Sequence, residues 1–324
     1  MTAHIELSLA IHSYSYVQHF QLAPGFSVFD FIDRAIRHGF TGVNINLNRP
    51  DWRHLTGRSP EHVLRVRRYL NDRGLSLELD TSGTDPLHLK VMLALAHALG
   101  AGNLRTYTRH EGAPAEVADK TLADLKVAVR FAEALRLPLV LENHEEFSGP
   151  ALAAIVAEVG SPCLKVLYDY GNAQMVLEDP TDCLEALLPH VLSMHLKDHL
   201  MLRPEHSPDG LLSVLGVPIG QGALPIVDLT RRLVQAGHRR IVFESVWAYR
   251  APVRRKAADV RPVRLGEGAF RFAAPPFDDE RVIPDAAVLA ERDPARLLAA
   301  EERAVAEGLA WLRQAFAAEG WRLA

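Results

Sequence analysis

Two cysteines, Cys163 and Cys183, are all that this chain of 324 residues contains. They are too few and too isolated for a disulfide framework or a zinc–thiolate cluster. Charge of one sign is also scarce: the formal net charge is −4 and the pI about 6.4, which gives no electrostatic footprint for nucleic acid or an anionic membrane. No apolar run reaches the length needed to span a bilayer. The start, Met1-Thr-Ala-His-Ile-Glu-Leu, lacks the basic and apolar stretches of a secretory leader. No Gly-x-Gly-x-x-Gly turn follows the first apolar run, which removes the main support for a doubly wound dinucleotide fold. Internal repeats and low-complexity tracts are also missing. The expected location on this reading is the cytoplasm, and 48% hydrophobic residues are enough for a large core.

What is present is alternation. Short apolar runs at Ile5–Ile11, Gly42–Leu47, Leu75–Asp80 and Asn103–Thr108 read as strands. Leu139–Asn143, Lys165–Asp169, Leu192–Leu196 and Ile241–Ser245 continue the series. Several are rich in Val, Ile and Leu without polar alternation, as parallel strands covered on both faces require. Helical patterns lie between them. Val28–Arg37 and Pro60–Asn71 follow the caps Ser27 and Ser59, and Pro86–Leu99 ends at Gly100. Ala115–Leu135, Pro150–Val159, Pro180–Leu188 and Pro225–Gln235 complete the set. Strand then helix, repeated eight times, predicts a single (β/α)8 TIM barrel over residues 1–250. Residues 251–324 form an extension, irregular at first and then helical from about Pro294 to Phe316. It reads either as a surface covering or as a lid or subunit contact. Inside the loop after the seventh run, Leu211–Pro218 is expected to form a small hairpin.

Four of the runs stop at a side chain that binds metals. Glu142, Asp169, His195 and Glu244 end the fifth to eighth strands, and in a barrel such ends converge on one face. Any one acid alone could cap a helix or pair at the surface. Four in strand-end register instead point to one divalent cation. Oxygen and nitrogen donors without thiolate suit Mn2+, Mg2+ or Co2+, with Zn2+ remaining open. A cation chelating a carbonyl and its neighbouring hydroxyl would stabilise an enediolate, and a carboxylate could exchange the adjacent proton.

The motifs Leu141-Glu-Asn-His, Tyr168-Asp-Tyr-Gly-Asn, Met194-His-Leu-Lys-Asp-His, Gly216-Val-Pro-Ile-Gly-Gln-Gly and Val242-Phe-Glu-Ser resemble the xylose isomerase-like superfamily of sugar isomerases and epimerases, including the tagatose-3-epimerase group. The resemblance implies that Glu142, Asp169, His195 and Glu244 hold one metal and that Glu142 and Glu244 also exchange the substrate proton. Asn172 departs from the pattern, because several epimerases carry histidine there. It can contact a substrate hydroxyl but cannot act as a base, and its presence argues against the related DNA-repair endonucleases.

His144 shares the strand face of Glu142 and reads either as a base or as a loop histidine touching a hydroxyl. Lys197 stands in the same relation to His195. It could neutralise an enediolate, bind a carboxylate or phosphate, or pair with Glu244 or Asp169. Glu-Asn-His at strand five resembles relatives that cleave 3-oxo-glycosides or decarboxylate 3-oxo-sugar acids. Arg109, His12 and Trp247 are expected at the substrate, and Asn44, Asn46, Asp80, His110 and Tyr249 are further pocket candidates. The N-terminus of the seventh helix, after Gly220-Gln-Gly, could receive an anion. The expected activity is a metal-dependent isomerase or epimerase, with lyase or decarboxylase as the alternative and a non-catalytic sugar-binding barrel as the rival from another class. The expected partner is a small sugar or oxidised sugar, without nucleic acid or membrane, and a homo-oligomer is open.

Overall fold

A computed structural model of the protein describes residues 4–48, 52–277, 283 and 285–324. The first three residues of the start read for a leader, and residues 278–282 and 284 of the extension, lie outside that set. The strands are β1 (Ile5–His12), β2 (Gly42–Asn46), β3 (Ser76–Asp80), β4 (Leu104–Thr106), β5 (Leu139–Glu142) and β6 (Leu164–Asp169). They continue as β7 (Val191–Leu196), β8 (His199–Leu202), β9 (Ser213–Gly216), β10 (Arg240–Phe243), β11 (Arg250–Pro252) and β12 (Trp321–Leu323). Strands β1 to β7 pair in sequence order, all parallel, and β10 closes the ring by pairing with both β7 and β1. The result is the expected eight-strand (β/α)8 barrel.

Helices cover the outside: α1 (Val17–Leu22), α2 (Val28–Arg37), α3 (Pro60–Asn71), α4 (Pro86–Leu99), α5 (Pro114–Leu135), α6 (Gly149–Val159), α7 (Pro180–Leu187), α8 (Ile226–Gln235), α9 (Ala286–Arg292) and α10 (Pro294–Ala318). Their starts follow capping chemistry. Ser27 and Asp30 form a reciprocal capping box on α2. Ser59, Asp85, Ser148 and Asp179 cap α3, α4, α6 and α7, each with proline in the first turn.

The barrel interior is polar as well as apolar. Glu78 on β3 accepts from Ser193 Oγ at 2.6 Å and from Arg240 Nε at 2.5 Å, forming a charged layer below the mouth. Gly42 makes room for it, since a Cβ there would come within 2.8 Å of the Arg240 guanidinium and 2.1 Å of Ser76 Oγ.

One reading of the second half is corrected. Leu211–Pro218 is not a hairpin: it supplies β9 alone, which pairs antiparallel with β8 and β11 in a separate three-stranded sheet above the mouth. The chain leaves β7 and starts β8 within two residues, so the apolar Leu200 and Leu202 find partners in β9 rather than in the barrel. The Gly220-Gln-Gly loop before α8 is occupied from within, while the start of α8 itself has no side-chain cap. Asp198 Oδ2 accepts the Gly220 and Gly222 N–H groups at 2.9 Å each, and Oδ1 accepts Leu224 N–H. Gly222 is required there, because a Cβ would lie 2.0 Å from Asp198 Oδ1.

The tail is packed against the barrel. Val305, Leu309, Leu312 and Phe316 of α10, with Trp321 of β12, join the main core, and β12 extends the sheet beside the start of β1. α1 has no side-chain cap of its own. Glu301 of α10 supplies one, accepting Gln18 N–H at 2.7 Å, His19 N–H at 3.0 Å and His19 Nδ1 at 2.6 Å. Replacing Glu301 by Ala strands two helix N–H groups in a buried place. We expect a loss of about 1.5–3 kcal/mol in urea unfolding, as for hydrogen bonds to charged groups. A loss within error of zero would contradict this role for α10.

Candidate metal centre and active site

Glu142 and Asp169 are the last residues of β5 and β6, His195 lies one before the end of β7, and Glu244 follows β10. Their ends meet at the C-terminal mouth, and all four side chains are buried. His195 is the hub. Its Nδ1 lies 3.4 Å from Glu244 Oε2, 3.8 Å from Glu142 Oε1 and 4.0 Å from Asp169 Oδ2. Glu142, Asp169 and His195 offer ligand atoms within 4.8 Å of one another, and so do His12, His195 and Glu244.

Asp80, at the end of β3, adds a fourth carboxylate 3.7 Å from His195 Nε2. Two fixed cations face these acids. Arg105 Nη2 is 2.6 Å from Asp80 and its Nε 3.3 Å from Glu142, while Lys197 Nζ is 2.8 Å from Asp169 and 2.9 Å from Glu244. Four carboxylates against two cations leave two negative charges in excess inside a buried cluster. Burial pushes Asp169 up to about 7, with Glu142 and Glu244 adding to it against the pull of Lys197. Burial acts on Glu244, Glu142 and Asp80 in the same sense, but is outweighed in each. Lys197 leads for Glu244, and Arg105 leads for Glu142 and Asp80, so all three lie below the usual carboxylate range. Lys197 is held well above its ordinary value by Asp169 and Glu244, which overcome its burial.

The donor set fits a divalent cation. Glu142 Oε2 faces Arg105, Asp169 Oδ2 and Glu244 Oε2 share Lys197, and His195 Nδ1 is buried without a hydrogen-bond partner, so three carboxylates and a free imidazole nitrogen stand in one place. A double positive charge would cancel the excess.

Above the cluster opens a cavity of about 380 Å3, within the range of small-molecule sites. Glu142 and Glu244 line it, whereas Asp169 and His195 lie beneath. Lys197, His144, Asn172 and Arg109 also line it. Asn172 Nδ2 donates to Glu142 Oε1 at 3.2 Å. The His144 ring stacks on Tyr107 at 3.7 Å, almost parallel, and its Nδ1 is 3.5 Å from Glu146. Arg109 donates to Tyr107 Oη at 2.5 Å.

Three expected contacts fall elsewhere. His12 backs the floor of the site: its Nε2 meets Asp80 at 2.8 Å and its Nδ1 accepts Tyr14 N–H, so both nitrogens are engaged. Trp247 packs with Leu289, Leu297 and Ala304 of the extension, away from the cavity wall, because the chain after β10 turns outward there. His110 pairs with Asp124 at 2.7 Å. Arg105 and Tyr107 went unnoticed in the sequence. An arginine inside Leu104-Arg-Thr, a run otherwise destined for burial, was the available signal.

Breaking the Arg105 pairs should be costly even without substrate. Arg105→Met leaves Asp80 and Glu142 uncompensated, and about 3–5 kcal/mol should be lost on urea unfolding. Added Mn2+ should recover part of it. A loss below about 1 kcal/mol would remove the charge balance from the account.

The family model described as "Xylose isomerase-like TIM barrel" matches residues 32–264. An uncharacterized Escherichia coli K12 protein, YihM, is 25% identical over 231 residues, covering 71% of this chain and 69% of its own length. The 3-oxo-isoapionate decarboxylase of Pectobacterium atrosepticum is 31% identical over 148 residues, 45% of this chain and 53% of that protein, so the match spans about half of that relative. Among solved structures, D-psicose 3-epimerase with D-tagatose from Clostridium cellulolyticum H10 superposes with a TM-score of 0.63 at 12% identity, over 96% of this chain and 99% of the other; this likeness is one of fold.

Proposed function

This chain belongs to the xylose isomerase-like TIM barrel family, and from that premise we propose that it is a divalent-metal-dependent enzyme of the isomerase or epimerase type, moving a proton next to the carbonyl of a sugar or sugar derivative. The observation that carries the reading is the division of labour among the four strand-end ligands. Glu142, Asp169, His195 and Glu244 would hold the cation, and only the two glutamates also face the cavity where a substrate carbon can reach them. Asn44 would orient the His195 ring from behind. Its Nδ2 lies 3.1 Å from His195 Nε2 while its Oδ1 has no partner. Turning the amide over lets Oδ1 accept Nε2–H and frees the Nδ1 lone pair toward the three carboxylates.

When bound, a divalent cation supplies Lewis-acid stabilisation of negative charge on the carbonyl oxygen; Mn2+ is the ion proposed, with Mg2+, Co2+ and Zn2+ as alternatives. The residues do the rest. One glutamate takes the proton from the carbon beside the carbonyl and the other returns one to the same or the neighbouring carbon. Lys197 keeps a positive charge against the cluster throughout, and Asn172 and Arg109 orient hydroxyl groups. His144, stacked and half-enclosed, is a second proton acceptor at the cavity wall. Residues 1–250 form the site-bearing barrel in this reading. The extension 251–324 acts as a covering, supported by Arg254, which lines the cavity and pairs with Glu145 at 3.0 Å.

A decarboxylase is the second reading. Lys197, Arg109 and His144 at one cavity favour a substrate carboxylate, and the Pectobacterium relative carries that activity. The same carbanion then forms by loss of carbon dioxide instead of a proton.

Assays on ketohexoses, 3-oxo-glucosides and 3-oxo-sugar acids, after EDTA and after Mn2+ return, separate the readings. The proposal expects metal-dependent turnover of one class. A protein that binds sugar but turns over none, with or without metal, would be a binding barrel instead. Glu142→Gln and Glu244→Gln should each lower kcat by about 10²-fold or more with the fold intact by circular dichroism; unchanged kcat in either removes that residue from the proton path. His144→Ala should leave metal affinity unchanged by titration calorimetry while lowering kcat, and unchanged kcat would cancel its base role.

A further inference from the structure

Ser13 and His54 form a buried pair, with His54 in the cavity wall and Ser13 behind it, that the proton chemistry does not use. His54 follows β2, is 8% exposed, and lies flat on Phe20 with ring centroids 4.3 Å apart and planes 11° apart. Its Nδ1 meets Ser13 Oγ at 2.8 Å. Ser13 is fully buried, and its oxygen already accepts Asn46 N–H at 2.9 Å. The serine hydroxyl has one hydrogen to give, and among the described residues the acceptor it meets is His54 Nδ1. A buried O–H without an acceptor would carry the full desolvation penalty. Nδ1 is therefore the acceptor, and the ring hydrogen sits on Nε2. Among the described residues nothing in the protein meets Nε2, and His54 lines the cavity.

The structure assigns to His54 the role of a positioning residue: an uncharged Nε2–H donor, locked in one tautomer by Ser13, that recognises an oxygen of the bound sugar. This rests on the reading of the cavity as a sugar site. Burial supports it, holding His54 down to about 3 so that the ring stays neutral at physiological pH. A neutral imidazole with a fixed N–H can polarise or orient a substrate oxygen without adding charge to a site already crowded with it. The device also selects. A substrate with a hydroxyl or carbonyl at that place satisfies the donor, and an analogue lacking it leaves a buried N–H unpaired. The class of ligand implied is a polyhydroxylated chain or ring that reaches from the strand-end cluster to His54 in the connection between β2 and α3.

The test uses the full-length protein with 15N-labelled histidine. Long-range 1H–15N correlation should show His54 protonated on Nε2 with a free lone pair on Nδ1, and Ser13→Ala should mix the tautomers. Titration with D-fructose and with xylitol should move the Nε2 signal. His54→Phe, which keeps the stack on Phe20, should weaken sugar binding about 10-fold, the worth of one well-placed hydrogen bond. His54→Gln, which returns an N–H near the same place, should restore most of it and guards against a folding defect. A ring protonated on Nδ1, an Nε2 signal unmoved by both sugars, or a Phe variant that binds as tightly as the parent would each overturn the assignment. Xylitol has no carbonyl, so its binding reports on His54 even if no sugar class is turned over and the catalytic reading fails.

Discussion

Everything at the mouth of this barrel follows from an excess of buried negative charge. Asp80, Glu142, Asp169 and Glu244 crowd around one imidazole, and Arg105 and Lys197 offset only half of their charge. Carboxylates removed from water are tolerated only when paired, coordinated or protonated. Asp169 shows the protonated solution in its raised affinity for a proton. A divalent cation is the other solution, and it also gives the free His195 nitrogen a partner.

The fold explains why the charges end up there. Parallel strands with a period of two send alternate side chains inward, so Ser193, His195 and Lys197 descend one wall as Glu78 and Asp80 descend another. The lower layer is neutral as a set, because Arg240 balances Glu78. The upper layer is left open to a ligand. The small β8–β9–β11 sheet and the carboxylate of Asp198 then fix the long loop after β7, which holds Tyr249 over the cavity. His12 and Asn44, whose partners are the ligands and their neighbours, hold the cluster from below.

Much of this was legible in the sequence, for a specific reason. A parallel strand that ends on a charge leaves a mark that composition cannot hide, and the runs ending at Glu142, Asp169, His195 and Glu244 needed no structure to find. The helix starts were as clear, because proline and a hydroxyl or acidic cap coincide at α3, α4, α6 and α7. What escaped notice depends on distant partners. Arg105 reads as an interruption of a strand until Asp80 and Glu142 are beside it. Glu301 reads as one of many acids on a helix until α1 is found without a cap. Trp247 sits three residues past Glu244, yet the turn that follows sends it into the extension. The Gly220–Gly222 loop has the shape of an anion site, and only the fold reveals that Asp198 already fills it.

The central claim, that one cation is what these acids are gathered for, is best tested by diffraction at the manganese absorption edge from crystals soaked in Mn2+. A single anomalous peak within coordination distance of Glu142, Asp169, His195 and Glu244 is expected. No peak at the mouth, or a peak bound without two of the four, would contradict it.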